Sequence, residues 1–391
     1  MISRHAEAAL KRLAQQFPVI GITGPRQSGK STLAKLAFPK KIYITFDDEG
    51  YRKLANESPQ EFLLAFPDGL IIDEAQKVPK IFDALKYFVD QGEYIPGKYV
   101  LTGSSQFKLR HNMTESLAGR AAFIHLLPFS LGELEESRLL PDSPYDLVLQ
   151  GLYPPIHDVH KHFIKEDWFN AYVESYLERD VAELVNSGNI STFRKFLRLC
   201  AVNSGQILSM NSLSKAVGVS APTIKSWLSV LENSYIIHFL QPSLKNLGKA
   251  LVRSPKMYFV DSGLLCYLLG VSNKEELLLS QYKGAIVESF AVAEFLKYKF
   301  NQGQLSNLSF YRDRNGFEVD VIAEWKKLLA MEIKSSISPS GDLAKGVKRY
   351  LELISDKDAS GAVFYFGNDT ITMNNVTYVA YRDWYKYLCS F

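Results

Sequence analysis

A glycine-rich run at residues 24–31 has the residue types and the spacing that bind phosphate groups. It reads Gly-Pro-Arg-Gln-Ser-Gly-Lys-Ser and follows an apolar stretch at residues 19–23. Glycines let backbone N–H groups turn toward a phosphate at the start of a helix, the lysine reaches the β- and γ-phosphates, and the serine hydroxyl ligates Mg²⁺. The sequence therefore predicts a P-loop that binds ATP, formed by Gly24, Pro25, Arg26, Gln27, Ser28, Gly29, Lys30, Ser31 and Thr32.

A second segment, residues 70–74, reads Leu-Ile-Ile-Asp-Glu and has the pattern of a buried strand that ends in two acids. The carboxyl ends of parallel strands meet at one edge of a sheet, so we expect Asp73 beside the loop, where it would hold Mg²⁺ together with Ser31. Glu74 would then orient or deprotonate the attacking water as a catalytic residue. The alternative is a solvated acidic pair after a core strand.

Residues 98–101, Lys-Tyr-Val-Leu, read as a third strand of this type, which Thr102 and Ser104 follow. Hydroxyls at such a strand end can hydrogen-bond the γ-phosphate or the attacking water, although the same residues also cap helices. We select Ser104 as the catalytic candidate of this group. Arg120, which ends a Leu-Ala-Gly-Arg segment, is a candidate arginine finger that stabilises transition-state charge, and the alternative is a solvated surface arginine.

Acidic residues in the last third of the chain are placed by two predicted strands where they could hold a divalent metal. Residues 318–322 and 329–334 read as paired strands, and their period of two places charges and hydrophobic residues on opposite faces. Asp320 lies on the first strand, and Glu332 and Lys334 form a Glu-x-Lys pair on the second.

The chemistry of such a site explains these residue types. Asp320 and Glu332 would hold a divalent metal, Glu288 on an upstream helix would support the metal shell, and Lys334 would position water or stabilise developing charge. Glu288 shares a helix face with apolar residues, where an unpaired carboxylate would be costly. The alternative is a pair of ordinary alternating strands with a solvated acidic face.

Two resemblances to known families rest on these motifs. Residues about 15–135 resemble the predicted AAA+ ATPases of bacteria and archaea, in which the P-loop, Leu-Ile-Ile-Asp-Glu, Leu-Thr-Gly-Ser and Leu-Ala-Gly-Arg follow in this order. The likeness continues at residues 176–180 and 317–320, so it spans most of the chain. The acidic residues of the last third resemble the PD-(D/E)xK nuclease core. These resemblances imply ATP use and a restriction-endonuclease-like domain, a fold that can lose turnover and remain a binding module.

The length of 391 residues is too great for one compact core, so we predict several domains of α/β class. The first, at 1–138, is an αβα P-loop (AAA+) ATPase domain around a parallel sheet. We then expect a helical lid at 139–190, a winged-helix-like domain at 191–280, and a PD-(D/E)xK nuclease-like α/β domain at 281–391.

The winged helix is predicted from two helical stripes of apolar residues on either side of Gly218. Gly218 permits the turn, Ser220 can cap the second helix, and Lys225 faces outward as a candidate DNA contact. The alternative is a helical lid that touches no DNA. The net charge of +3 for the whole chain neither supports nor excludes DNA binding.

The cysteines and the lengths of the apolar runs indicate the cellular compartment. Cys200, Cys266 and Cys389 are widely spaced without a CxxC pattern, which indicates neither a disulfide framework nor structural zinc and fits a reducing cytoplasm. No apolar run approaches the roughly eighteen residues needed to span a bilayer, and the start reads as a charged amphipathic segment rather than a signal peptide. We therefore expect a cytoplasmic protein without a membrane partner.

Together these patterns predict an ATPase, with ATP and Mg²⁺ as cofactors, that couples turnover to DNA binding or processing. The alternative is an ATP-gated DNA- or protein-binding regulator whose nuclease-like fold is inactive. A small-molecule P-loop kinase explains less, because the paired acids at 73–74 suit water activation and much of the chain would have no role. The sequence leaves open whether the chain forms a homo-oligomer and whether Arg120 acts within or between subunits.

Overall fold

The computed structural model describes residues 2–92, 94–103, 106–158, 160–161, 163–177, 190–243 and 252–391. The predicted catalytic residue Ser104, and residues 178–180 of the segment used for the family resemblance, lie outside the described residues. The chain divides into two compact units. The N-terminal unit comprises Met1–Pro128, Asn233–Tyr235 and Lys299–Leu305; the C-terminal unit comprises Phe129–Glu232, Ile236–Tyr298 and Ser306–Phe391.

The N-terminal unit is built around a parallel sheet in the order β2-β3-β4-β1-β5. Its strands are β1 (Val19–Thr23), β2 (Ile42–Thr45), β3 (Leu70–Asp73), β4 (Tyr99–Thr102) and β5 (Ala121–His125). Every residue of β1, which lies between β4 and β5, is buried, as expected for a parallel sheet that is covered on both faces. The α/β class and the parallel sheet predicted for this region are confirmed.

Helices cover both faces of this sheet. They are α1 (Ala6–Ala14), α2 (Lys30–Ala37), α3 (Glu49–Glu57), α4 (Pro59–Leu64), α5 (Lys80–Asp90) and α6 (Gln106–Ser116). Ile20 and Ile22 of β1 pack in one core with α1 and α2, whereas Val19 packs in the other with α5. Period-two alternation along β1 thus divides its side chains between two separate cores.

The C-terminal unit begins with helices and adds further helices around a mixed sheet. They are α7 (Leu131–Glu136), α8 (Pro144–Gln150), α9 (Lys165–Tyr172), α10 (Ile190–Val202), α11 (Met210–Val217), α12 (Ala221–Asn233), α13 (Ser262–Leu269), α14 (Lys274–Leu279), α15 (Lys283–Asn301), α16 (Lys345–Ile354) and α17 (Trp384–Leu388). Short 3₁₀ turns occur at Pro154–His157, Gly341–Ala344 and Tyr381–Asp383.

The sheet of the C-terminal unit has the order β12-β13-β11-β10-β9-β8-β6-β7. Its strands are β6 (Ile237–Pro242), β7 (Lys256–Phe259), β8 (Leu308–Arg312), β9 (Glu318–Glu324), β10 (Leu328–Lys334), β11 (Ser360–Tyr365), β12 (Ile371–Met373) and β13 (Val376–Ala380). On β11, Val363 packs with Val347 of α16, and Phe364 contacts Phe295 of α15. Adjacent residues therefore face helices on opposite sides of the sheet.

The hairpin β6–β7 follows the helices α10, α11 and α12, and it also joins the larger sheet. β6 pairs antiparallel with β7 and parallel with β8. Strands from both sides of the predicted domain boundary at residue 280 therefore share one sheet. The boundaries at 138, 190 and 280 stay predictions. Within the described part of the chain, no helix combines the length and the apolar character needed to cross a membrane.

Candidate active site

The predicted phosphate loop connects β1 to α2, and three of its residues have positive φ angles. Gly24 has φ 149°, Gln27 has φ 65°, and Gly29, which precedes α2, has φ 92°. A side chain on Gly24 would collide with the backbone, because a Cβ there would lie 2.0 Å from the carbonyl oxygen of Leu126. The sequence therefore needs glycine at position 24 for both its conformation and its close approach to the chain after β5.

The side chains of Lys30 and Ser28 are buried within this loop. Lys30 Nζ donates to the carbonyl oxygens of Gly24 at 2.9 Å and Pro25 at 2.8 Å. Ser28 Oγ is buried and finds no hydrogen-bond partner among the described residues. Thr32, the last residue of the predicted set, is exposed on α2. The loop thus has an inward lysine and an unsatisfied hydroxyl, as expected of a surface that binds an oxyanion.

Arg4 fixes the far end of the loop, and sequence reasoning missed it. Its Nη1 donates to the carbonyl oxygen of Ser28 at 2.7 Å, and its Nη2 donates to that of Leu127 at 2.6 Å. Arg4 as a whole is 7% exposed. Charge-assisted hydrogen bonds from a buried arginine hold these two backbone segments together more firmly than neutral bonds would. Only the three-dimensional fold brings residues 4, 28 and 127 together.

Asp73 at the end of β3 accepts hydrogen bonds from three side chains. Ser31 Oγ donates to its Oδ2 at 2.8 Å, Tyr43 OH donates to the same oxygen at 2.6 Å, and Thr102 donates to Oδ1. The backbone N–H of Glu74 also donates to Oδ1, at 3.1 Å. Burial raises the pKa of Asp73, but these hydrogen bonds outweigh burial and lower it below the ordinary value. The carboxylate is therefore ionised at neutral pH.

Ser31 and Asp73 fit Mg²⁺ by the chemistry of their donor atoms. A hydroxyl oxygen and a carboxylate oxygen are hard ligands, which Mg²⁺ prefers, and they lie beside the loop that carries Lys30. The sequence predicted both residues as metal ligands, and the structure brings them together. Their role as ligands stays a prediction.

Glu74 follows Asp73 in a left-handed conformation, with φ 55°. Its Oε2 accepts a hydrogen bond of 2.6 Å from Gln76 Nε2. Gln76 in turn packs tightly on Gly103, where a Cβ would lie 2.0 Å from Gln76 Oε1. Gln76 and Gly103 therefore orient the predicted catalytic carboxylate. Sequence reasoning did not assign this role to Gln76.

The other predicted catalytic residues of this region have different positions. Thr102 contacts Asp73, as described, while Ser104 lies outside the described residues. Arg120 donates from Nη2 to Asp90 Oδ2 at 3.1 Å and from Nη1 to the carbonyl oxygen of Ala118 at 2.9 Å. This ion pair is partly exposed on the surface of the unit. The arginine-finger role of Arg120 stays a prediction.

The acidic residues predicted in the C-terminal unit do come together. Asp320 Oδ2 accepts from the backbone N–H of Ile333 at 2.9 Å and lies 3.4 Å from Lys334 Nζ. Lys334 Nζ also donates to Glu332 Oε2 at 2.5 Å. The adjacent strands β9 and β10 thus bring Asp320, Glu332 and Lys334 into one cluster. Gly346 permits α16 to approach it, because a Cβ there would lie 2.2 Å from Glu332 Oε1.

Lys256 of β7 supplies a second ammonium group, which sequence reasoning missed. It forms an ion pair with Glu318, and its Nζ lies 4.0 Å from Glu288 Oε2. Tyr258 OH donates to the same oxygen of Glu288 at 3.1 Å. The Lys256 side chain is 4% exposed, so burial strengthens these charge interactions.

The pKa values in this cluster show how strongly its charges interact. Burial and the nearby charge of Asp320 raise the pKa of Glu288 to about 7 and that of Glu332 to about 8. Burial lowers the pKa of Lys256, but Glu288 and Glu318 outweigh it, and the net shift is upward. Among the described residues, no group of three or more His, Cys, Asp or Glu has the arrangement of a metal site. The ligand roles of Glu288, Asp320 and Glu332 stay predictions.

Family models match three successive regions of the chain. Residues 16–135 match an AAA domain, which agrees with the geometry of the loop and of Asp73. Residues 142–275 match a domain of unknown function, DUF8612, and residues 283–384 match another, DUF4143. The matched regions are separated at 136–141 and 276–282.

Similar solved structures include the Walker-type ATPase PABY2304 of Pyrococcus abyssi, which has 15% sequence identity, covers 67% of this chain and 94% of that one, and has a TM-score of 0.43. The RuvB Holliday junction branch migration motor of Thermotoga maritima has 17% identity, covers 60% and 86%, and has a TM-score of 0.31. Likenesses this distant carry no inference about function.

Curated relatives extend over most of the chain. The uncharacterized proteins Rv2008c of Mycobacterium tuberculosis and Mb2031c of Mycobacterium bovis are each 30% identical over 339 residues, which is 86% of this chain and 75% of theirs. An uncharacterized protein of Haemophilus influenzae is 21% identical over 286 residues, which is 64% of this chain and 68% of that one. The chain therefore belongs to the same family as these mycobacterial proteins, and its N-terminal region is an AAA-type P-loop ATPase domain.

Proposed function

We propose that the N-terminal unit binds ATP with Mg²⁺ and hydrolyses it. The observation that carries this proposal is the ionised carboxylate of Asp73, which lies 2.8 Å from the hydroxyl of Ser31 beside the loop of Lys30. Bound Mg²⁺ would neutralise charge on the phosphates. Phosphate release by the purified protein, with and without magnesium, tests the proposal. A folded protein that neither releases phosphate nor takes up ATP in calorimetry would overturn it.

Each residue of the site has a separate role in this proposal. Lys30 and the backbone N–H groups of the loop bind the phosphates, and Ser31 and Asp73 hold the metal. Glu74, oriented by Gln76, takes a proton from the attacking water. Catalytic roles for Ser104 and Arg120 are part of the proposal.

The charge distribution supports a nucleic acid as the second partner. Residues 190–260 contain nine lysines and arginines but one acidic residue, Glu232, whereas the whole chain has a net charge of +3. Positive charge is thus concentrated in one stretch, and the rest of the chain is net negative. Such local excess is the electrostatic footprint of proteins that bind nucleic acids.

The secondary structure of this stretch supports DNA binding through a winged helix. Helices α10, α11 and α12 are followed by the antiparallel hairpin β6–β7, which is the order of elements in that fold. Gly218 ends α11 with φ 88°, and the hydroxyl of Ser220 accepts from the N–H of Thr223 at the start of α12. Lys225 is exposed on α12 and so is free to contact a phosphate.

Removal of two exposed lysines tests this interface. We expect Lys195→Gln combined with Lys225→Gln to weaken DNA binding for all sequences, because both would contact phosphates. The slope of log K against log salt should fall in magnitude by about 2. Fluorescence anisotropy over a salt series measures both effects.

The matched control is Lys326→Gln combined with Lys327→Gln, which removes the same charge from two exposed residues of the β9–β10 turn. This variant should keep the wild-type slope. Equal losses in the two double variants would show that net charge alone matters and would reject α10 and α12 as the binding surface.

A second candidate function is an ATP-gated DNA- or protein-binding regulator with an inactive nuclease-like fold. It is favoured by Lys256, whose buried ammonium group already pairs with Glu288 and Glu318. A metal held by Glu288, Asp320 and Glu332 would have to compete with Lys256 and Lys334 for the same carboxylates. The residues present therefore fit a cluster of internal ion pairs better than a metal centre.

Lys256→Met tests this interpretation. The change leaves Glu288 without its buried cation, whereas Glu318 keeps its ion pair with Arg312, so we expect a loss of about 3 kcal/mol in stability. Mn²⁺ should restore part of the unfolding temperature of the variant but leave that of the wild type unchanged. Thermal unfolding with and without Mn²⁺ measures both.

Lys297→Met is the control, because Lys297 is also buried and forms an ion pair of 2.8 Å with Glu294 outside the cluster. It should be destabilised but not rescued by Mn²⁺. Metal-dependent cleavage of linear, nicked or branched DNA by the wild type, lost in Asp320→Ala, would instead establish a nuclease and contradict the regulator.

A further inference from the structure

Three polar side chains meet at the entrance of the phosphate loop. The hydroxyl of Thr23, the last residue before Gly24, lies 2.7 Å from His125 Nδ1 and 3.1 Å from Tyr235 OH. Tyr235 OH lies 2.7 Å from the same nitrogen of His125. The three atoms therefore form a closed triangle, which we call the loop-entry triad.

The three residues come from distant parts of the sequence. Thr23 and His125 are opposite each other on the neighbouring strands β1 and β5. Tyr235 follows Thr23 by 212 residues and belongs to the short segment Asn233–Tyr235, which packs with the N-terminal unit. It lies between the end of α12 and the start of β6, the elements of the proposed winged helix.

Tyr235 has an unfavourable backbone conformation. Its φ of 57° is in the left-handed region, which a bulky residue rarely adopts unless the surroundings hold it. Glycine would adopt this turn without strain but would lack the hydroxyl that reaches Thr23. The observed strain therefore points to a role for the side chain rather than for the turn.

His125 also contacts the other segment that returns to the N-terminal unit. Its ring centroid lies 5.0 Å from that of Phe300 in the segment Lys299–Leu305. The same segment is held by Arg12, whose Nη2 donates to the carbonyl oxygen of Gln302 at 2.6 Å. His125 thus contacts both segments of the later sequence, 233–235 and 299–305, that belong to the N-terminal unit.

The triad has little freedom to shift without moving the loop. The N–H of Leu126, next to His125, donates to the carbonyl oxygen of Thr23 at 2.7 Å. Gly24 follows at a point where a Cβ would lie 2.0 Å from the carbonyl oxygen of Leu126, so the chain passes close to Leu126 as it enters the loop. A change in the position of Thr23 therefore changes the direction in which the backbone N–H groups of the loop point.

We propose that Tyr235 is a positioning residue of the nucleotide site and that nucleotide binding is thereby coupled to α12 and β6. This inference rests on the proposed ATP binding. Tyr235 holds Thr23 through the triad, and the loop is arranged for phosphate before the nucleotide arrives. By linkage, a nucleotide that binds this arrangement also stabilises Tyr235 and the chain on either side of it.

Tyr235→Phe tests the inference because it removes only the hydroxyl. We expect ATP to bind about threefold to tenfold more weakly, as for the loss of a neutral hydrogen bond. Thr23→Val should have a similar effect, and Thr23→Ser, which keeps the hydroxyl, should restore affinity. In the wild type, ATP with Mg²⁺ should slow amide hydrogen exchange at residues 221–242, and this protection should be lost in Tyr235→Phe.

Tyr94→Phe is the matched control, because Tyr94 OH donates to the carbonyl oxygen of Gln16 at 2.9 Å away from the loop. It should keep both wild-type affinity and protection. Calorimetry and exchange are measured at a temperature where circular dichroism shows all variants folded. If the wild type binds ATP and Tyr235→Phe shows the same affinity and the same protection, this inference alone is overturned. Absence of ATP binding by the wild type would overturn the proposed function as well.

Discussion

Lys30→Ala is expected to reduce magnesium-dependent ATP turnover by at least about a hundredfold. The ammonium of Lys30 is buried in the loop, 2.8 Å and 2.9 Å from two carbonyl oxygens, and is thus confined to the region where the phosphates would bind. In the transition state the same charge would stabilise the phosphoryl oxygens, and alanine supplies none. Phosphate release at saturating Mg²⁺, measured over a range of ATP concentrations, gives the loss in kcat/KM.

The control for this experiment is Lys53→Ala. Lys53 is a surface lysine of α3, 74% exposed, whose Nζ lies 4.0 Å from Glu57. Exposed pairs of this kind contribute little, so turnover should be unchanged. Circular dichroism should show that both variants are folded. Turnover of Lys30→Ala equal to that of the wild type would reject the loop at residues 24–31 as the catalytic phosphate site.

The nucleotide site could be predicted from the sequence to the extent that local geometry determines it. Gly24, Gly29 and Lys30 lie within seven residues of one another, and their spacing alone defines the loop. Asp73 is 42 residues from Ser31, but an apolar strand that ends in an acid must deliver it to the edge where the loop lies. The contact between Ser31 and Asp73 can therefore be predicted, because both lie beside the carboxyl ends of strands in one parallel sheet.

The residues that support this site could not be predicted, because they depend on long-range contacts. Arg4, Tyr43 and Tyr235 have no motif in the sequence around them. Each reaches the loop or Asp73 through hydrogen bonds that exist only in the folded chain. Residue type gives no signal here, since most arginines and tyrosines of a protein contact neither a loop nor a catalytic acid.

The acidic cluster of the C-terminal unit could be predicted only in part from the sequence. Alternation along β9 and β10 predicted that Asp320, Glu332 and Lys334 would lie together, and they do. Lys256 is separated from them by a domain boundary in the sequence interpretation, and only the pairing of β6 with β8 brings β7 close. Its ion pairs with Glu288 and Glu318 are the observation that favours the proposed cluster of internal ion pairs over a metal site.

The distribution of charge along the sequence is informative, although the net charge of the whole chain is not. The +3 of the whole chain is uninformative because residues 190–260 are strongly basic and the rest is net negative. Electrostatic attraction to phosphates depends on the charge within one Debye length, which is about 8–10 Å. A segment-by-segment count would have identified the basic stretch from the sequence alone.

Glu74→Gln is expected to reduce ATP hydrolysis by about a hundredfold to ten-thousandfold while leaving ATP affinity near the wild-type value. Glutamine keeps the shape of the side chain but cannot take a proton from water. Gln76 Nε2 donates to Glu74 Oε2 at 2.6 Å. In the variant, the amide oxygen of the side chain at position 74 can still accept this hydrogen bond and keep its orientation. The loop and Asp73 are untouched, so nucleotide and metal should still bind. Single-turnover hydrolysis and calorimetric titration with ATP and Mg²⁺ separate the two effects.

Glu57→Gln provides the control, because Glu57 is a glutamate of the same unit that is 63% exposed at the end of α3. It should hydrolyse ATP at the wild-type rate. If Glu74→Gln lost affinity and turnover by the same factor, Glu74 would contribute to binding rather than to proton transfer. Retained affinity with slow hydrolysis would give a protein whose site stays occupied by ATP at saturating nucleotide. In that state the coupling from the loop to α12 can be measured without turnover, because any protection of α12 must then come from bound ATP rather than from its products.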